Sequence, residues 1–257
     1  MNGAMHNALL FLVLLLTACK RPETTAAAAA VEGPCRSVMF EGERFTICRD
    51  PAARLELHVA GRDGRPYRSF AALEQVLGKR AASVRFAMNA GMFDVDGNPI
   101  GLAIAGGQPL KALNTRIKGG GNFHLQPNGV FLVHADGKAE IVTTPAYTAA
   151  PDIALATQSG PMLVIAGQVN PRFSPDGTSR YVRNGVGIGP DGVPVFAISD
   201  GAVSFGKFAR LFRDELKTRD ALYLDGSVSS LWDPANGRMD SFSGLGPMIV
   251  AFGERAP

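Results

Sequence analysis

Polar and apolar residues alternate through Arg54-Leu55-Glu56-Leu57-His58-Val59, a period of two that predicts a strand. Ser83-Val84-Arg85-Phe86-Ala87-Met88 predicts a second strand feeding a Gly-containing loop. Gly129-Val130-Phe131-Leu132-Val133 predicts a third, and Asp136-Gly137 is a hairpin turn into Ala139-Glu140-Ile141-Val142. Pro161 to Ile165 and Gly185 to Ile188 read as short strands, and Asp191-Gly192 turns the latter into Pro194 to Ile198. Helical spacing occurs twice. Phe70, Leu73 and Leu77 share a face within 67–79, with Gly78 near the end. Phe205, Phe208, Ala209, Phe212 and Leu216 share one within 205–218, with Arg210, Arg213, Asp214 and Lys217 elsewhere. Ala221-Leu222-Tyr223-Leu224 is a buried strand running into Asp225-Gly226. Strands outnumber helices, so the expected fold is α+β: a mixed, β-sheet-rich single domain with a few helices.

Composition agrees. The 257 residues hold 46% hydrophobic and 19% charged side chains, an ordinary globular balance that argues against disorder. Thirty Gly and 17 Pro suit many turns and short strands. The net charge of +3, with no Lys/Arg cluster interleaved with aromatics, excludes a nucleic-acid binder of the usual kinds.

Ala8 to Leu16 is an unbroken apolar run, too short to span a bilayer as a helix and suited to the core of a signal peptide. It ends in Leu16-Thr17-Ala18-Cys19, which resembles the bacterial lipobox. That resemblance implies cleavage before Cys19, lipidation of its thiol and anchoring to a membrane; the alternative is an ordinary cleaved signal peptide. The expected division is a signal peptide over 1–18, a low-complexity tether over 19–34 and a folded domain over 35–257. The expected location is the bacterial envelope, facing the periplasm. Lys20, where enterobacterial inner-membrane retention uses Asp, mildly favours the outer membrane by resemblance. In that oxidising compartment Cys35 and Cys48 are candidates for a disulfide, the alternative being two buried thiols. No His or Cys lies near them at metal-ligand spacing.

Four segments place polar residues beside Gly at strand ends, where a strand directs a side chain and Gly admits a ligand. They are Asn89-Ala90-Gly91-Met92-Phe93-Asp94; Gly121-Asn122-Phe123-His124 with Pro127-Asn128-Gly129; Gln158-Ser159-Gly160-Pro161 followed by Arg183-Asn184-Gly185-Val186-Gly187; and Leu224-Asp225-Gly226-Ser227. Singly, such pairs mostly mean turns. Together and in this order, over about Phe86 to Val250, they resemble the phosphodiester glycosidase family, with Pro127 to Phe131 and Ala221 to Gly226 most similar to an uncharacterised bacterial branch. The resemblance implies that family's fold and a hydrolase that cleaves a sugar from a sugar-1-phosphodiester. It implies no firm cofactor and leaves a divalent cation at the phosphate open.

The residues carry this chemistry as follows. Arg183 has a planar fork suited to phosphate oxygens, or else pairs with a structural carboxylate. Asp225, at a strand end, serves as nucleophile, as base toward water or as stabiliser of an oxocarbenium-like transition state, or else caps an Asx turn. These two are the catalytic candidates. Asn89, Gly91, Asn122, Asn128, Ser159, Gly160, Asn184, Gly226 and Ser227 are the substrate-binding candidates; each Asn has the alternative of tying down its own backbone. His124 is a proton shuttle or an exposed loop residue. Asp94 and Asp200 sit beside turns and read as structural.

The motif segments hold no Glu. A phosphate monoester, with a second pKa of about 6, departs with little acid help, so one carboxylate suffices. A serine hydrolase fails for want of a Gly-x-Ser-x-Gly elbow. A calcium loop at Asp94-Val95-Asp96-Gly97-Asn98 lacks the later bidentate Glu. The rival of a different class is a lipoprotein that binds a glycan or phosphoglycan without turnover.

Overall fold

The computed structural model describes Met1 and residues 33–253. The expected signal segment, Cys19 and nearly all of the expected tether lie outside the described residues.

The strands run in chain order β1 (Cys35–Phe40), β2 (Glu43–Cys48), β3 (Arg54–His58), β4 (Val84–Asn89), β5 (Ala103–Ala105), β6 (Gln108–Lys111), β7 (Gly129–His134), β8 (Ala139–Thr143), β9 (Ile153–Ser159), β10 (Met162–Ile165), β11 (Gln168–Val169), β12 (Asn184–Ile188), β13 (Pro194–Ser199), β14 (Ala221–Tyr223), β15 (Leu231–Asp233), β16 (Arg238–Met239) and β17 (Met248–Phe252). Helix α1 is Phe70–Leu77 and α2 is Phe205–Arg210.

Three sheets form, in the orders β1-β2-β13-β12-β14-β10-β11, β16-β15-β4-β17-β3 and β6-β5-β9-β7-β8. Each pairing is antiparallel. The α+β class stands, but the mixing of strand directions expected from sequence does not. Hairpins join neighbouring strands, and the two helix-bearing connections, β3 to β4 and β13 to β14, cross over β17 and β12, so strands of like direction are separated by an antiparallel one.

One apolar core lies among the sheets and draws Phe86, Met88 and Ile249 from the second, Phe131 and Leu155 from the third, and Val186, Phe196 and Leu222 from the first. Helix α1 packs Phe70, Leu73 and Leu77 with Trp232 and Val250 on the outer face of the second sheet. Its start is capped by Ser69, whose hydroxyl accepts from the Ala72 N–H at 3.1 Å. The helix expected over 205–218 is shorter. α2 ends at Arg210, and a wider turn over Leu211–Glu215 follows, with the Leu216 N–H reaching Leu211 O at 3.0 Å. The extra residue in that turn seats Leu211 beside Phe212 in the same core as Phe208, all fully buried.

Cys35 and Cys48 face each other in the β1–β2 register and are joined by a disulfide. Closing a loop of this size removes unfolded-chain entropy worth about 3 kcal/mol. Reduction is therefore expected to lower Tm in a thermal melt with and without dithiothreitol. An unchanged Tm would show that strand pairing alone already holds these ends.

Register decides where the loops gather. Asn89 pairs with Met248, Ser159 with Gly129 and Asn184 with Ile198. β4, β9 and β14 thus finish where β7, β12 and β17 begin, and the motif segments emerge at one end of the sheets.

Candidate active site

Tyr223 closes β14 and Asp225 follows two residues later in extended backbone, so both side chains leave the chain toward one face. Asp225 is 7% exposed. Its N–H donates to Ala90 O at 3.0 Å, and its carbonyl accepts from Asn89 Nδ2 at 2.7 Å. Its Oδ1 accepts from the Ser227 hydroxyl at 2.7 Å and the Ser227 N–H at 3.2 Å. The Asx turn weighed from sequence therefore forms, but it occupies one carboxylate oxygen only. No protein donor reaches Oδ2 among the described residues. Burial raises the Asp225 pKa above the ordinary carboxylate value, and the two Ser227 bonds partly offset it.

Asn89 and Asn184 form the frame around this residue. Asn184 Nδ2 donates to Asn89 O and Oδ1 at 3.0 and 2.9 Å, and Asn89 Oδ1 also accepts from the Ser230 N–H at 2.8 Å. Ser229 Oγ donates within this frame, lying 3.1 Å from both Val182 O and Asn184 Oδ1. Both Asn side chains are thus committed to the protein, and their role is to hold the Asp225 turn.

Arg183 departs from both sequence readings. It is fully buried, and no carboxylate among the described residues pairs with it. Nε donates to Val203 O at 2.8 Å, Nη2 to Ser179 O at 2.9 Å and Nη1 to the Tyr223 hydroxyl at 3.2 Å. The guanidinium lies 3.6 Å from the Phe205 ring centre. A direct two-pronged grip on phosphate, assigned to Arg183 from sequence, is corrected: the Nε–Nη2 edge is spent on main-chain carbonyls. Burial lowers its pKa from the usual guanidinium value, while Tyr223 opposes that shift.

Tyr223 was read from sequence only as a strand residue, and it is the site residue that reading missed. The two-residue offset from Asp225 at a strand end was the available signal. Its oxygen accepts from Arg183 Nη1 at 3.2 Å, leaving the phenolic proton for a further acceptor. Burial pushes its pKa up to about 12, with Arg183 opposing and Asp225 adding to the shift, so at neutral pH it is a donor.

The glycines do a different job from the one expected. A Cβ on Gly91 would meet Thr157 Oγ1 at 2.6 Å, one on Gly160 would meet Asn128 Cβ at 2.6 Å, and one on Gly226 would overlap the Tyr223 hydroxyl. They allow protein segments to approach each other, where the sequence reading had a ligand approaching the backbone. Asn128 donates to Phe123 O at 3.2 Å and so ties down its own loop. Asn122 opens the short turn Asn122–His124 and is not bonded into the Asp225 frame. His124 sits in the same turn, with Nδ1 3.2 Å from Arg116 O. Asp94 caps its own turn through the Asp96 and Asn98 N–H groups, and Asp200 accepts from Thr46, both as structural residues.

Ser159 is different again. Its hydroxyl is buried and has no hydrogen-bond partner. It lies on the same face of β9 as Thr157, whose Oγ1 accepts the Gly91 N–H at 3.1 Å. Ser159 therefore faces the Asn89–Gly91 segment as an uncommitted donor. No group of three metal-ligating side chains occurs among the described residues. A cleft of about 450 Å³ lies at the opposite ends of the strands, beside Glu56, Phe86 and His134, and does not include Asp225.

Fold and site together describe an antiparallel three-sheet domain that presents one partly desolvated carboxylate, backed by a neutral tyrosine and a buried guanidinium. The chain belongs to the phosphodiester glycosidase family, whose sequence profile matches residues 82–240. It is 43% identical over 149 residues to the uncharacterized protein YigE of Escherichia coli (strain K12), a match spanning 58% of this chain and 58% of that protein. Its fold is similar to the catalytic domain of zebrafish N-acetylglucosamine-1-phosphodiester alpha-N-acetylglucosaminidase auto-inhibited by its pro-peptide, with a TM-score of 0.59 at 16% identity over 86% of this chain and 82% of that one. A putative exported protein of Burkholderia pseudomallei K96243 gives a TM-score of 0.52 at 13% identity over 81% and 73% of the two chains.

Proposed function

We propose that this chain hydrolyses a glycosyl phosphodiester, releasing free sugar and a phosphate monoester. The observation that carries the reading is Asp225, a mostly buried carboxylate with one oxygen anchored by Ser227 and the other without a protein donor. Its raised pKa makes it a better base for water attacking C1, and its negative charge stabilises an oxocarbenium-like centre. Water oxygen bonds to C1 and the C1–O bond to phosphorus breaks. The water proton passes to Asp225, and the monoester leaves as an anion. Tyr223 supplies an uncommitted phenolic donor two residues from this carboxylate, and the unpartnered Ser159 hydroxyl lies on the β9 face that carries Thr157 to Gly91. Arg183 fixes Tyr223 and contributes positive potential without touching substrate.

The family assignment and the zebrafish relative's named substrate support testing N-acetylglucosamine-1-phosphodiesters first. We place the activity in the bacterial envelope, with Cys19 as the lipid anchor, on the strength of the Leu16-Thr17-Ala18-Cys19 sequence.

The test is incubation of the protein with a panel of sugar-1-phosphodiesters including UDP-N-acetylglucosamine, with and without EDTA. Free sugar released by wild type is the expected result, and a rate unchanged by EDTA would place the whole reaction on protein groups. Saturable binding without release from any member would instead assign a phosphoglycan-binding role.

A further inference from the structure

Once Arg183 is withdrawn from direct contact, the end of the molecule that holds Asp225 still offers Arg68, whose buried Nη1 has no acceptor among the described residues and which lies outside the stretch matched by the family profile. Arg68 has φ 63°, a left-handed backbone that a residue with a side chain adopts only when its surroundings force it. Its carbonyl accepts the Leu245 N–H at 2.8 Å, which pins that backbone. Its guanidinium lies over the Phe93 ring, 5.2 Å from the centre, at the end of the Asn89–Phe93 segment. Gly97 and Gly244 flank it: a Cβ on Gly244 would meet Nη2 at 2.8 Å, and one on Gly97 would overlap Nη1. Nη1 is buried and has no hydrogen-bond partner. No carboxylate among the described residues forms an ion pair with Arg68. The nearest acid in sequence, Asp63, spends Oδ1 on the Arg65 N–H, and Asp94, in the turn that holds Gly97, spends Oδ1 on that turn.

The placement follows from register. His58, Met248 and Asn89 align across β3, β17 and β4. The three segments that enclose Arg68, after β3, after β4 and before β17, therefore leave the sheet at the end where Asn89 meets Asp225. The Ala90 N–H donates to Pro247 O at 2.8 Å, while Ala90 O accepts from Asp225, so the wall around Arg68 and the Asp225 turn share one residue.

We propose that Arg68, seated on Phe93 between Gly97 and Gly244, is the guanidinium that recognises a phosphate group at the mouth of the Asp225 site. The identity of the anion rests on the phosphodiester reading above; the presence of an anion receptor rests on the geometry alone. A guanidinium held by two loops, with no protein acceptor, is complementary to a tetrahedral oxyanion through charge-assisted hydrogen bonds.

Calorimetric titration with inorganic phosphate, at constant ionic strength, tests this on wild type, Arg68→Ala and Gly244→Ala. Wild type is expected to bind saturably, and Arg68→Ala to weaken binding about tenfold or more. Gly244→Ala keeps every charge and displaces only the end of a flexible side chain, so it is expected to weaken phosphate binding with Tm nearly unchanged. If Arg68→Ala does not fold, Gly244→Ala decides alone. Absence of saturable phosphate binding by wild type, or equal affinity in wild type and the folded variants, overturns the proposal. The glycosidase reading fails separately: sugar release with phosphate affinity insensitive to Arg68 removes only the Arg68 role. Arg68-dependent phosphate binding without sugar release removes only the hydrolase.

Discussion

Asp225→Asn is expected to stop sugar release and, at neutral pH, to raise the melting temperature. The two effects have one cause. Asp225 is held where its charged form is poorly solvated, so its pKa in the folded protein lies above the ordinary carboxylate value. For a raised pKa, the favourable contribution of the protonated carboxyl is fully present below the unfolded value, about 3.9. It is lost as pH rises through the folded pKa, above which the ionised group opposes folding. Asparagine carries no charge at any pH, and its Oδ1 can still accept both Ser227 bonds. The Tm gain of the variant should therefore be present at pH 7, shrink as pH falls through the folded pKa and vanish below about pH 3.9. Loss of the base should lower the rate by about 10³-fold or more. Calorimetric melts at several pH values, with rates on an active substrate, check both. A variant that hydrolyses within tenfold of wild type would remove Asp225 from the chemistry. A Tm that falls at pH 7 would show that capping the turn outweighs the cost of burying the charge.

Arg183→Ala should have the largest effect on the fold. It removes a fully buried side chain that bonds Val203 O, Ser179 O and the Tyr223 hydroxyl and that stacks on Phe205. The variant takes one of two donors from Val203 O, which keeps the Tyr181 N–H at 3.2 Å, removes the donors to Ser179 O and the Tyr223 hydroxyl, and opens a cavity between aromatic rings. Mechanisms of this kind together cost about 3–5 kcal/mol. Urea unfolding measures the loss. Arg183→Lys then separates charge from geometry. Lysine keeps the positive charge but cannot reproduce three divergent bonds from one planar head. If the guanidinium works by fixing Tyr223, Arg183→Lys should keep part of the stability and lose most of the rate, with KM little changed. A lysine variant at full rate would leave only the charge as important.

Much of the sheet was legible because alternation and turn chemistry are local. Arg54–His58 alternates, and Asp136-Gly137 and Asp191-Gly192 carry the hairpin signal, so β3, β7, β8, β12 and β13 fall where the pattern placed them. β9 and β17 were not named, since Ile153–Ser159 and Met248–Phe252 are buried nearly throughout and lack the two-residue rhythm. The hairpin of β1 and β2 was not named either, although its two cysteines were.

At the site, the distinction is between which residues matter and what they touch. Asn89, Asn184 and the Asp225–Ser227 turn are far apart in the chain, yet turn residues beside Gly at strand ends marked them all, and the structure bonds them into one frame. The sequence by itself determined the class of fold, the motif segments and the residue types available for chemistry, because these depend on spacing and composition. The tertiary structure alone decided that Arg183 faces inward to Tyr223, that the motif glycines admit neighbouring protein, and that Arg68 lacks a protein acceptor. Those outcomes depend on which distant acceptors reach a guanidinium first, and the antiparallel register of three sheets sets that order.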